Sequence, residues 1–415
     1  VEVQRTTTGD GVVVVSEVMP AVRSVSLGCW VAVGSRDEAD DEHGCSHFLE
    51  HLLFKGTTRR SARLIAEELD AVGGELNAFT GREVTCFHAR VLDRDLPLAV
   101  DVLGDMLRSA RNDDADVAAE REVVLSELAI QQDTPDDVVT TDLTELVLGA
   151  HPLARDALGT LDSVTTMPRE RIDAFYRDRY RPGTLVVAAA GNVDHDALVR
   201  LVEEHVGDLG RPGGQRPDRA VPGDGGDARS VRSRPGEQVH VALGGRALPG
   251  GDPRRDALRV LDVVLGGGMS SRLFQTIREE RGLAYATYSW AAGWTDAGMW
   301  GAYAGVTPRR LPELLEVLVA ELDGLADSVT DAEVERARGT LQGSLVLGLE
   351  DPGSRMSVLG RWTAAGRDLV DVDTMLARIG AVTTSQVRDV AADVLGGQRH
   401  LAVVGPVEGS DVPNL

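Results

Sequence analysis

His47 and His51 stand four residues apart, with Glu50 between them. On a helix, side chains at i and i+4 share a face, so both imidazoles can converge on one metal ion. Glu50 follows His47 by three residues and falls on nearly the same face, where a carboxylate can take a proton from water. Further along, Glu120 and Glu127 lie two helical turns apart with Val124 between them, again on one face. Catalytic zinc takes three protein ligands and keeps a position for water. Either glutamate could complete such a set while the other orients a histidine from behind. The alternative is an exposed acidic helix, since Glu122 and Glu145 are close by. Cys45, two residues before His47, is a lesser candidate ligand, and Cys29 and Cys86 read as buried apolar residues.

The order of the motif, H-x-x-E-H, inverts the H-E-x-x-H arrangement of zinc hydrolases. Short motifs of this kind arise often by accident, so the elements around it decide its meaning. A Gly- and Pro-rich stretch from Gly210 to Gly226 reads as a linker. It divides the chain into segments 1–210 and 229–415, with 211–228 between them. The two segments run in the same order. Each has an alternating strand (Val25 to Val33; Val239 to Leu243), then a helix (His47–Phe54; Ala257–Leu265). Ser61-Ala-Arg-Leu64 and Ser270-Ser-Arg-Leu273 each open a further helix, and strand pairs follow around 77–91 and 285–306. Long helices begin near Asp113 and Thr330, and each half closes on an apolar strand, Leu185–Ala190 and Leu401–Val404. The expectation is an α+β protein of two homologous domains from an internal duplication, each a mainly antiparallel sheet packed with helices.

The duplication supplies a control. Alignment of the two halves sets Leu258, Leu261 and Asp262 opposite His47, Glu50 and His51, and Ala337 and Ser344 opposite Glu120 and Glu127. A fold that needed these polar groups for packing would need them twice. Their presence in one half alone marks them as chemistry.

Composition narrows the partners. With 66 acidic and 43 basic residues the net charge is −23, which repels nucleic acid and favours basic peptides or a solvated surface. Apart from Lys55, every basic residue is arginine. No apolar run approaches a membrane span, and the three cysteines lack C-x-x-C spacing. No basic segment followed by an apolar one opens the chain, so the expected setting is a reducing cytoplasm, without membrane attachment. Val1 in place of Met leaves open whether residues precede it.

The stretch Gly44-Cys-Ser-His-Phe-Leu-Glu-His-Leu-Leu-Phe-Lys-Gly-Thr57 resembles the signature of the pitrilysin, insulysin and mitochondrial processing peptidase family of zinc peptidases, in its half-size bacterial form. In that family a glutamate ligand follows the second histidine at the separation Glu127 has from His51, 76 residues. The resemblance therefore implies one zinc ion per chain on His47, His51 and Glu127, with Glu50 as base and Glu120 behind a histidine. Asn77, Ala78 and Phe79, followed by Thr80, Glu83 and Thr85, resemble the family's substrate-pairing edge strand, which holds an extended peptide by main-chain hydrogen bonds. Arg278 and Tyr285 resemble its second-half pair that contacts substrate and the tetrahedral intermediate. Read without the family, Arg278 is an exposed helix residue and Tyr285 a sheet-packing aromatic.

The implied activity is zinc-dependent endopeptidase cleavage of peptides or unfolded segments inside a clamshell of two chains. Zinc ligands, base and the Arg/Tyr pair on one chain point to a homodimer. The alternatives are a non-catalytic subunit or one partner of a heterodimer. The glycine stretch at 266–268 is short beside that of the non-catalytic mitochondrial subunit, and it lacks the G-K-[ST] ending of a phosphate loop.

Overall fold

The computed structural model of the chain describes residues 3–216, 218–223, 225 and 228–413. Four linker residues, Pro217, Asp224, Gly226 and Asp227, and the first and last two residues lie outside the described set, so the linker is described in part.

Strands form where apolar residues alternate. β1 (Val3–Thr7), β2 (Val13–Val18), β3 (Ser24–Val31), β4 (Glu75–Thr80), β5 (Thr85–Leu92) and β6 (Leu185–Gly191) make a six-stranded sheet in the order β1-β2-β6-β3-β5-β4. β7 (Arg229–Ser233), β8 (Val239–Ala247), β9 (Ala284–Gly293), β10 (Gly298–Val306) and β11 (Arg399–Gly405) make a five-stranded sheet in the order β7-β11-β8-β10-β9. With β1 set aside, the two orders superimpose strand for strand. Each sheet has one parallel pair, β2 with β6 and β7 with β11, and is otherwise antiparallel. The expected α+β duplication with mainly antiparallel sheets is what the chain forms.

Both faces of the first sheet are covered, which follows from the period-two alternation of β3 and β5. Val25, Leu27, Cys29 and Val31 join Phe87, Ala89 and Val91 in the core beneath helix Cys45–Leu53. On the opposite face Trp30 and Cys86 pack against Met356 and Leu359 of helix Pro352–Ala364. That helix lies close on the sheet: a Cβ at Gly360 would run into the Trp30 indole, and one at Gly28 into the Met356 sulfur.

The compact units do not follow the contiguous segments expected from the linker. The first comprises 1–129, 155–219 and 347–371, and the second 130–154, 220–346 and 372–415. Each half of the chain therefore lends one helix to the other half's sheet. Helix Pro135–Leu148 packs Val139, Leu143 and Val147 against Ala242, Ala402 and Val404 of the second sheet. Helix Pro352–Ala364 packs on the first. An ion pair anchors each helix. Arg355 donates to Glu17 on β2, Nε to Oε2 at 2.5 Å, both side chains being buried. Arg232 on β7 donates to buried Asp142 of the other helix, Nε to Oδ2 at 2.6 Å. β2 and β7 are equivalent strands, yet the polarity of the pair is reversed.

One local expectation is modified. Ser270 to Leu273 do lead into a helical segment, but Phe274–Glu280 is a π-helix. Its i→i+5 hydrogen bonding widens the turn, with Leu273 and Ile277 kept in the core and Phe274 and Arg278 half-buried. Among the described residues no helix is long and apolar enough to cross a membrane.

Removing one partner of a buried pair strands the other charge, at a cost of about 3–5 kcal/mol, whereas replacing both with apolar residues is often close to neutral. Arg355→Leu is accordingly expected to lower the urea unfolding free energy by an amount in that range, and Glu17→Leu/Arg355→Leu to recover most of it. A single variant as stable as the parent would show that the pair does not anchor the helix.

Candidate metal centre

The helix Cys45–Leu53 begins at Gly44, whose φ of +90° favours glycine. Its first free amides are satisfied by Glu38: one carboxylate oxygen accepts from Gly44 N at 2.9 Å and the other from Ser46 N at 2.7 Å. Phe48, Leu49, Leu52 and Leu53 are fully buried, so packing fixes the helix rotation and leaves His47, Glu50 and His51 on the other side. Cys45 is in the core as well, where burial pushes its thiol well up from its ordinary value. It takes no part in the cluster. All three cysteines are free and buried.

Helix Asp114–Asp133 supplies Glu120 and Glu127, with buried Val117, Val124 and Leu128 holding it to the core. His47, His51 and Glu127 each bring one ligand atom to a point where all lie within 4.8 Å of one another. Glu127 Oε2 is 3.5 Å from His47 Nε2 and 3.6 Å from His51 Nε2. Ligands about 2.0–2.1 Å from a tetrahedral zinc stand about 3.3–3.4 Å apart, so the spacing fits.

Proton accounting gives a second test of fit. His51 Nδ1 lies 3.0 Å from Glu120 Oε2. A carboxylate only accepts, so this nitrogen carries the hydrogen and Nε2 is left as the nitrogen that can bind a metal. Nε2 faces the Glu127 carboxylate across 3.6 Å. Burial, reinforced by the neighbouring His51, pushes His47 down to about 4, which favours the uncharged imidazole that a metal needs. A cation at this point would take up both Nε2 atoms and the carboxylate oxygen together. The two histidines differ behind the cluster, for His47 Nδ1 is buried without a hydrogen-bond partner among the described residues.

Glu50 is half-buried beside this cluster and accepts from Thr80 Oγ1 at 2.5 Å. Burial raises its carboxyl above the ordinary value against the pull of that hydrogen bond, and the Glu127 charge adds to the rise. Thr80 ends β4, which borders the sheet and pairs only with β5. The Ala78 amide donates to the Asn77 side chain at 2.8 Å rather than to β5, so it points off the free edge. Phe79 packs edge-on against Trp30, fixing the strand from its other face. Glu83 and Thr85 serve structure: Glu83 pairs with Arg36 at 2.6 Å, and Thr85 Oγ1 donates to the Val33 carbonyl at 3.1 Å.

Arg278 and Tyr285 belong to the second compact unit. The Arg278 guanidinium lies 4.7 Å from the ring centres of both Phe274 and Tyr285. Tyr285 is 78% exposed and so is not the sheet-packing aromatic that it reads as without the family. Sequence reasoning did not assign a role to Glu38 and took Thr80 only as part of the edge strand, not as a partner of Glu50; both contacts depend on chain segments that meet only in the fold.

Fold and cluster together define a duplicated α+β protein with a two-histidine, one-glutamate centre in its first half. Two family models match the chain: insulinase (peptidase family M16) over residues 13–161, and the peptidase M16 inactive domain over residues 166–341. An uncharacterized zinc protease of Streptomyces coelicolor is 47% identical over 421 residues, covering 100% of this chain and 92% of that protein. Uncharacterized zinc proteases of Mycobacterium tuberculosis and Bacillus subtilis are 47% and 36% identical, each over 97% of this chain and over 93% and 98% of theirs. The chain belongs to the insulinase family, peptidase family M16. Among solved structures, a peptidase M16 inactive domain from Pseudomonas fluorescens has a TM-score of 0.92 at 18% identity over 98% of both chains. A protease from Helicobacter pylori has a TM-score of 0.90 at 21% identity, over 98% of this chain and 99% of that one. Both share the fold.

Glu38→Ala would leave two buried helix amides without partners, each costing about 1–3 kcal/mol. The expected outcome is a lower unfolding midpoint, with hydrogen exchange accelerated at the start of helix Cys45–Leu53. Unchanged exchange at Gly44 and Ser46 would contradict this account of how the helix is held.

Proposed function

We propose that the chain is a zinc-dependent endopeptidase acting on extended peptides or unfolded segments. The observation that carries this reading is the His51 arrangement, in which Glu120 fixes the protonated nitrogen and turns the other lone pair toward Glu127. The comparisons support it through the names of the relatives. His47, His51 and Glu127 would hold one zinc ion, and Glu120 would orient His51 from behind. Zinc, when bound, supplies a Lewis acid that polarises a carbonyl and acidifies water.

The chain's own residues do the rest. Glu50 in its carboxylate form takes a proton from the attacking water and passes it to the leaving amine. The free edge of β4, with the outward Ala78 amide beside Asn77 and Phe79, binds the substrate backbone as an added strand, with modest regard for sequence. Arg278 and Tyr285 are suited to stabilise the oxyanion of the intermediate: an exposed phenol carries a donor and a guanidinium a fixed charge. In the homodimer we propose, this pair serves the metal centre of the other chain.

Three measurements test the reading. Glu50→Gln should keep its zinc and lose peptide turnover by about 10²–10⁴-fold; undiminished cleavage by a zinc-loaded variant would sink the mechanism. The acid limb of the pH–rate profile tests the same residue. Glu50 must be ionised to act, so activity falls as pH drops through its pKa. Thr80→Val removes the bond favouring the ionised form, so the limb should move to higher pH. A limb that stays in place would contradict the assignment. For the dimer, mixing inactive His51→Ala and Arg278→Ala chains should restore some turnover; none returns if each chain is self-sufficient or needs a different partner.

A further inference from the structure

Lys55 is the sole lysine in a chain with 43 basic residues, and it stands against Glu120. It follows the motif helix directly, its amide donating to the Leu52 carbonyl at 3.0 Å, so the last helical turn fixes where its side chain starts. Its Nζ pairs with Glu120 Oε1, while Glu120 Oε2 accepts from His51 Nδ1 at 3.0 Å. The Glu120 side chain is only 5% exposed. Each oxygen of this buried carboxylate therefore has one protein donor, and the two donors come from opposite ends of one helical turn.

We propose that Lys55 is a positioning residue, holding Glu120 behind His51 by one oxygen, and that the geometry requires an ammonium there rather than a guanidinium. The inference rests on the zinc reading above. A guanidinium offers two parallel N–H groups that match both oxygens of a carboxylate. Placed at residue 55 it would take Oε2 from His51 and release the imidazole whose orientation the centre needs. An ammonium is a compact point charge and can occupy Oε1 alone. This is a physical reason for lysine at one position of a chain that otherwise uses arginine. Without any cation, Glu120 keeps a single bond and can turn toward the cluster, into the position left for water.

Charge alone predicts the opposite sign. Removing a cation near a bound dication strengthens metal binding; losing a properly held outer carboxylate weakens it about 10–100-fold. Lys55→Arg keeps the charge and changes only the geometry, so it separates the two effects.

The test is the zinc dissociation constant, by competition with a chelator of known affinity, together with the rate of zinc loss to excess chelator. Wild type is compared with Lys55→Arg and Lys55→Gln, and unfolding midpoints of the metal-free forms check that each folds. Both variants are expected to bind zinc about tenfold or more weakly and to lose it faster. Lys55→Cys alkylated with 2-bromoethylamine, which restores an ammonium at similar reach, is expected to recover wild-type affinity; the native cysteines are buried. Wild-type affinity in Lys55→Arg, tighter binding in Lys55→Gln, or no recovery on alkylation would overturn the proposal. A wild-type protein that binds no zinc would instead overturn the metal reading on which it rests.

Discussion

Two imidazole Nε2 atoms and a carboxylate oxygen are gathered with 3.5 and 3.6 Å between the carboxylate and each nitrogen, the spacing of ligands around one tetrahedral cation. Much of the first unit is arranged to hold them there. The core under Phe48, Leu49, Leu52 and Leu53 fixes one helix, Val117, Val124 and Leu128 fix the other, and Glu120 locks a tautomer. Polar groups that converge on one point and are held there by packing on two helices are expected at a functional site rather than in a packing motif.

The second half shows what the same architecture does without that constraint. Leu258 and Leu261, opposite His47 and Glu50 in the alignment, are buried in its core. Asp262, opposite His51, turns inward to accept from Ser289 at 2.6 Å. Ala337, opposite Glu120, is buried too. Ser344, opposite Glu127, is exposed, so among the described residues no polar cluster gathers on the equivalent faces of the second half. With strand order and strand sense repeated between the sheets, this is the internal comparison that a single structure rarely provides.

Strands and helices were legible because each had a clear period: β3 and β8 alternate, and the motif helix puts Phe48, Leu49, Leu52 and Leu53 on one side. The duplication was legible for the same reason. The exchange of helices Pro135–Leu148 and Pro352–Ala364 was not. An apolar stripe such as Val139, Leu143 and Val147 shows that a helix has a buried face, not which of two similar sheets receives it. The information lies in the opposed charges of Asp142 and Arg355, whose partners on β7 and β2 are far away in sequence. The candidate metal set was legible as residue types and spacing, while the choice of Glu127 over Glu120 came through family resemblance; in the structure Glu127 lies with both histidines and Glu120 against His51 Nδ1. Lys55 drew notice as the lone lysine, but its contact with Glu120 depends on two helices meeting.

The central claim is that His47, His51 and Glu127 hold zinc, and X-ray absorption at the zinc K edge of the purified protein tests it most directly. The account predicts one zinc per chain with a shell of nitrogen and oxygen only, at about 2.0–2.2 Å, and the outer-shell scattering of two imidazoles. A sulfur shell near about 2.3 Å, or zinc retained undisturbed after Glu127→Ala and His51→Ala, would contradict it.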